Sequence, residues 1–164
     1  MRSLIRKTGI ADIELVKTKF PRKEVLSRPK AIIECYQEIP CNPCETSCPF
    51  GAITIGDDIN QIPKIDFDKC TGCSSCIVAC PGLAIMVVMI KDGKAYFKIP
   101  YELLPLPKVG EKWITLNRSG EALEKPCKIE NVMLTKKGDR TAIITVSIEQ
   151  PYLYEFSTIR SPYE

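Results

Sequence analysis

The sequence predicts an α+β protein in three parts: a basic N-terminal arm over 1–30, a cysteine-rich unit over 31–99, and a linker with a small β-rich domain over 100–164. Three observations carry that reading. Eight of the nine cysteines lie between Cys35 and Cys80. Within that interval the tetrad ending Cys48-Pro49 recurs as one ending Cys80-Pro81. Past residue 100, prolines give way to short apolar segments that alternate as strands do.

The arm holds nine Lys or Arg residues against Asp12, Glu14 and Glu24, a net of +6, so a total of +3 leaves −3 on the remainder. Pro21 and Pro29 break any helix begun at Ala11–Lys19. The arm has no Arg/aromatic pattern for stacking bases, so a solvated or partner-docked extension is expected and nucleic acid is the lesser reading. The first ten residues lack the apolar core of a signal peptide, and Leu83–Ile90 is far shorter than a membrane span, which needs about 20 residues. A soluble, reducing, cytoplasmic setting is expected, without a membrane partner.

Within the cysteine-rich unit, Ala31–Cys35 reads as a strand and Cys41–Pro49 as a loop entering a short helix. Ala52–Ile55 is a second strand, and Ile62–Phe67 leads into the next cysteine run. Leu83–Ile90 is β-branched enough for a further strand. Registered on the Cys-Pro pairs, Ala52-Ile53 recurs as Ala84-Ile85, so two copies of one strand–loop–helix–strand unit are expected to share a core, as a pseudo-twofold pair. Beyond Pro100, Pro105 and Pro107, strands are expected at Trp113–Leu116, Ile129–Leu134, Ala142–Ile148 and Leu153–Phe156, with a hairpin turn at Lys136–Asp139. They suggest a small β-barrel of SH3-like type, with Trp113 in its core or anchoring a partner.

There is no histidine, which removes Cys/His zinc sites, Rieske centres and histidine acid–base chemistry. Thiolates are the soft ligands that remain. The run Cys70-x2-Cys73-x2-Cys76-x3-Cys80-Pro81 has the bacterial iron–sulfur spacing C-x2-C-x2-C-x3-C-P without deviation. Three cysteines two apart let a tight loop wrap one cube, and Gly72 gives that loop backbone freedom. A four-cysteine zinc site pairs two separated C-x2-C knuckles and fits poorly. The first run, Cys35-x5-Cys41-x2-Cys44-x3-Cys48-Pro49, is irregular. Strict register puts Glu38 at its first position, while a bulge over Glu38–Pro40 brings Cys35 there instead. A thiolate suits iron–sulfur better than a carboxylate. The competing reading makes Cys35 a buried strand residue beside a [3Fe–4S] cluster or one with a non-thiolate ligand. Apolar cover is expected from Ile53, Ile55, Phe67, Ile77, Ile85 and Val87. Cys127, alone in Lys125-Pro126-Cys127, is expected to be a core thiol.

Residues 31–90 resemble a two-cluster 2[4Fe–4S] bacterial-type ferredoxin domain. The resemblance implies crossed ligation: Cys35, Cys41, Cys44 and Cys80 on one [4Fe–4S] cluster, and Cys70, Cys73, Cys76 and Cys48 on the other. With the Cys35–Cys41 spacing and the short tail, the chain also resembles the ferredoxin-like subunits of heteromeric FAD-dependent amine or proline-type dehydrogenases of anaerobes. That likeness implies a relay for single electrons between flavin-containing subunits and an acceptor. No acid–base or nucleophile–base pair stands out, so no catalysis by this chain alone is expected. A stand-alone ferredoxin and a non-redox iron–sulfur module contacting nucleic acid or protein are the rival readings.

Overall fold

The fold is a seven-stranded antiparallel sheet with the cysteine loops on one face and the tail's core on the other, seen in a computed structural model that describes residues 2–136 and 140–163. The expected hairpin turn at 136–139 falls largely outside the described residues. The order of the sheet is β1 (Lys30–Ile33), β4 (Ile85–Lys91), β5 (Lys94–Tyr101), β8 (Ala142–Glu149), β7 (Cys127–Leu134), β6 (Lys112–Leu116) and β9 (Thr158–Arg160). A separate hairpin joins β2 (Ile53–Thr54) to β3 (Lys64–Ile65).

Side chains alternate across a strand, so a strand buried on both faces serves two cores. β1 and β4 do so. Ala31, Ile33, Ile85 and Val87 face the cysteine loops with Cys44, Cys70, Cys76, Ile53, Ile55 and Ile77. Ile32, Met86 and Val88 face the other way, into a core with Phe97, Trp113, Ile129, Val146 and Phe156. Five of the six apolar cover residues are therefore in the cysteine-side core. Phe67 is the exception: it packs against the tail's core.

The sheet continues through the boundary expected at residue 100. β5 pairs with β4 up to Lys98 and with β8 as far as Tyr101. Pro100 sits where β5 has only β8 beside it in register, a place where a missing N–H is tolerated. The tail strands are thus hydrogen-bonded to those of the cysteine-rich unit. The segment Leu153–Phe156, expected as a strand, is not one. Pro151 lies in a 3-10 turn at Gln150–Tyr152, and Leu153 and Phe156 plug the core while the last strand forms later, at Thr158–Arg160.

The arm departs most from expectation. It forms α1 (Arg2–Thr8), α2 (Ile13–Lys17) and a 3-10 turn at Lys23–Ser27. Asp12 caps α2 by accepting from the Leu15 amide at 2.8 Å. Val16 and Leu26 are fully buried. Burying two such side chains contributes about 1.5–3 kcal/mol each, enough to hold a short extension against its host. Through Leu26 the arm is docked against the sheet's core, while most of its charged side chains stay exposed.

Candidate metal centre

Each cysteine loop runs into a short helix. Pro43 opens α3 (Pro43–Thr46), where its fixed φ and missing N–H suit the first turn. α4 (Ser75–Ala79) follows a left-handed Ser74, and Cys80, held extended before Pro81, ends it. Gly72 has φ +70°, and a Cβ there would lie 2.6 Å from Pro29 Cβ and 2.7 Å from its carbonyl oxygen. Only glycine lets the arm close over this loop.

The helices divide the eight sulfurs into two groups. One cavity is lined by Cys70, Cys73 and Cys76 of the second run and Cys48 of the first, with Ala31, Ala52 and Ile53 as apolar walls. The other is lined by Cys35, Cys41 and Cys44 of the first run and Cys80 of the second, with Ile33, Ile39 and Ile85. Each cavity takes three cysteines from one loop and one from the end of the other loop's helix. No three His, Cys, Asp or Glu close on a single-ion site among the described residues. Glu38, the alternative to Cys35, lies in a different hollow with Ile5, Arg6 and Tyr36.

Backbone N–H groups point at the sulfurs. Ala52 donates to Cys48 Sγ at 3.3 Å, and Ala84 donates to Cys80 Sγ at 3.4 Å. These alanines are the ones that repeat in the sequence. Ala31 donates to Cys70 Sγ at 3.3 Å. Such donors favour the thiolate and lower the cost of anionic sulfur in an apolar wall. Burial works the other way. It pushes the Cys44 thiol up to about 11, and it pushes Cys76 up to about 12 with further help from Cys70 and Cys73. Burial also raises Cys35, against the pull of the Lys19 charge. Cys73 is exposed; burial there acts upward, but its hydrogen bonds with Ser75 and Thr71 bring it below the usual thiol range. Buried, mutually repelling thiols become thiolates readily only when a cation replaces their protons. Four-sulfur sets of this kind fit an iron–sulfur cluster in each cavity.

The ninth cysteine belongs to neither set. Cys127 is buried in the tail's core, its thiol directed at the Trp113 carbonyl at 3.5 Å, and burial raises it to about 11. Trp113 is likewise a core residue, edge-on to Tyr101 and donating from Nε1 to Glu111 at 2.9 Å. Two residues that sequence reasoning did not assign touch the ligand loops. Lys19 Nζ donates to the Cys35 carbonyl at 3.1 Å, and Lys30 Nζ donates to the Cys70 carbonyl at 2.7 Å. Their excess in a basic arm was visible; their targets were not.

Residues 39–84 match the family model of the 4Fe-4S dicluster domain, a span that holds seven of the eight cysteines and leaves Cys35 outside it. The chain is 53% identical over 38 residues to one subunit of the Na(+)-translocating ferredoxin:NAD(+) oxidoreductase complex of Acetobacterium woodii, covering 23% of this chain and 11% of that one. It is 42% identical over 62 residues to a sulfite dehydrogenase subunit of Allochromatium vinosum, covering 38% and 24%. A selenate reductase subunit of Mesobacillus selenatarsenatis is also 42% identical over 62 residues, covering 38% and 19%. The matches therefore span a quarter or less of these relatives' length. No solved structure matches.

Proposed function

We propose that this chain, which carries a ferredoxin-type 4Fe-4S dicluster domain over residues 39–84, is the electron-transfer subunit of a multi-subunit oxidoreductase. One [4Fe–4S] cluster is held by Cys35, Cys41, Cys44 and Cys80, and the other by Cys70, Cys73, Cys76 and Cys48. The observation that carries this reading is the crossed sorting of the eight sulfurs into two cavities. When bound, such clusters supply one-electron transfer with little change of shape.

The chain's own residues serve that chemistry. Cysteine sulfurs hold the metal, the Ala31, Ala52 and Ala84 amides neutralise part of their charge, and Ile33, Ile53, Ile77 and Ile85 keep water from it. Exposed Phe50 and Leu83 follow the two Cys-Pro pairs, and Cys73 itself reaches the surface, so each end of the pair has a route to a partner. The partners we propose are flavin-containing subunits of an amine- or proline-type dehydrogenase. The setting is the reducing cytoplasm, where free thiols persist. Among the described residues no helix is long and apolar enough to cross a membrane.

Anoxic purification from the native source tests the reading, with iron, sulfide and flavin counted in the recovered complex. About eight irons and as many sulfides per chain, together with flavin on a second polypeptide, are expected. A count of about four irons removes one site. Full iron in a chain that is isolated alone and free of flavin overturns the subunit assignment.

A further inference from the structure

Two ammonium groups from the arm reach equivalent points of the two cysteine runs. Cys35 is the first cysteine of its set and Cys70 is the first of the other. Lys19, in the turn two residues past α2, donates to the Cys35 carbonyl at 3.1 Å. Lys30, the first residue of β1, donates to the Cys70 carbonyl at 2.7 Å and to the Phe67 carbonyl at 2.6 Å. Both are half-buried. Neither is paired with a carboxylate among the described residues. Lys19 also lies over the Tyr36 ring at 5.2 Å, which fixes its position. Glu34, the carboxylate whose field acts on Lys19, is itself taken up by Arg118. Leu26 in the core against the sheet and Pro29 against Gly72 hold the segment between the two lysines in place.

We propose that the arm is a potential-setting element, in which Lys19 raises the reduction potential of the Cys35-side cluster and Lys30 independently raises that of the Cys70-side cluster. The inference rests on the cluster assignment above. Reduction adds one electron, supplied by an external one-electron donor, and breaks no bond. Its effect is one further negative charge on the cluster. A positive charge fixed on the backbone of a ligand favours that reduced form, and more so in a half-buried site than in water. Two lysines on two different sets act separately, so each cluster carries its own adjustment. Both act as positioning residues, through the carbonyl of a ligand and its field.

The test is a dithionite titration of the anaerobically isolated chain, followed by electron paramagnetic resonance, with iron and sulfide counted in every sample. Lys19→Gln is expected to move one couple to lower potential and leave the other in place. Lys30→Gln is expected to do the reverse. Lys19→Arg and Lys30→Arg, which keep the charge, are expected to hold the parent potentials. Lys69→Gln is the control: Lys69 neighbours Cys70 in the chain, but its exposed ammonium lies toward Asp66 at 3.8 Å, and both couples are expected to stay. Unmoved couples at full iron in Lys19→Gln and Lys30→Gln overturn the proposal, as do equal shifts of both couples in either variant. If Lys30→Gln loses iron, Lys19→Gln decides. A parent chain without two clusters defeats the cluster assignment, which the iron count reports separately from any shift.

Discussion

The Arg118 guanidinium grips both oxygens of the Glu34 carboxylate, with Nε at 2.8 Å from one oxygen and Nη2 on the other. Arg118 also donates to the Tyr154 carbonyl at 2.6 Å. Glu34 follows β1 and immediately precedes Cys35, so this fork fastens the tail to the entry of the first cysteine loop.

The side chains of Arg118 and Glu34 are only 10% and 13% exposed. Removing one charge strands the other in a dry site, which costs more than removing both. Arg118→Ala is expected to destabilise the holoprotein by about 3 kcal/mol, and the double replacement Glu34→Leu with Arg118→Leu by clearly less. Chemical denaturation under anoxia measures both. Equal losses for the single and double variants refute the coupling.

Cys35 and Glu38 compete for the first position of the irregular run, and the cavity contains only the cysteine. Cys35→Ser is expected to lower the iron count from about eight toward seven and to give the signal of a three-iron cluster. Glu38→Gln is expected to leave iron and spectrum unchanged. Iron loss in Glu38→Gln with none in Cys35→Ser reverses the assignment.

The two cysteine runs were legible because ligand spacing is local and thiols are chemically distinctive, whereas the exchange of Cys48 and Cys80 between them is implied by the family resemblance and not by spacing. The repeated Ala-Ile was legible too, and it marks the amides that meet Cys48 and Cys80. The arm's docking was not legible. Val16 and Leu26 sit in apolar stretches of only a few residues, beside Leu15 and Val25, too short for a period to show which side chain is buried. Lys19 and Lys30 were hidden for a related reason: their partners are backbone carbonyls, which leave no mark in sequence, and the Cys70 carbonyl lies 40 residues from Lys30. Leu153 and Phe156 read as strand because an apolar pair looks alike in a strand and in the plug that follows a turn. Phe67, expected as cover for the cysteines, packs on the tail's core instead, because the chain leaves regular strand geometry after Ile65 and alternation no longer fixes direction.

Gly72 lies inside the second cysteine loop and Gly82 follows that run's last pair, Cys80-Pro81, and alanine should disturb the first and spare the second. At Gly72 the new methyl meets Pro29 and the backbone is left-handed; at Gly82 nothing lies within 4 Å and φ is ordinary. Gly72→Ala is expected to cost about 1–3 kcal/mol and to make the Cys70-side cluster labile, whereas Gly82→Ala stays within about 0.5 kcal/mol of the parent. Denaturation midpoints and the rate of iron release to a chelator compare them. Equal behaviour of the two variants means the arm does not seat on Gly72.

Cys127 offers a test of whether the ninth thiol takes part in the electron path. It lies in the tail's core, directed at the Trp113 carbonyl, and lines neither cavity. Removing its sulfur loses packing and a weak hydrogen bond, so Cys127→Ala is expected to cost about 1 kcal/mol. Iron, sulfide and both reduction couples should stay at parent values, because Cys127 lines neither cavity. A fall in iron without a matching loss of stability would make Cys127 a ligand and require one of the eight assigned sulfurs to give way.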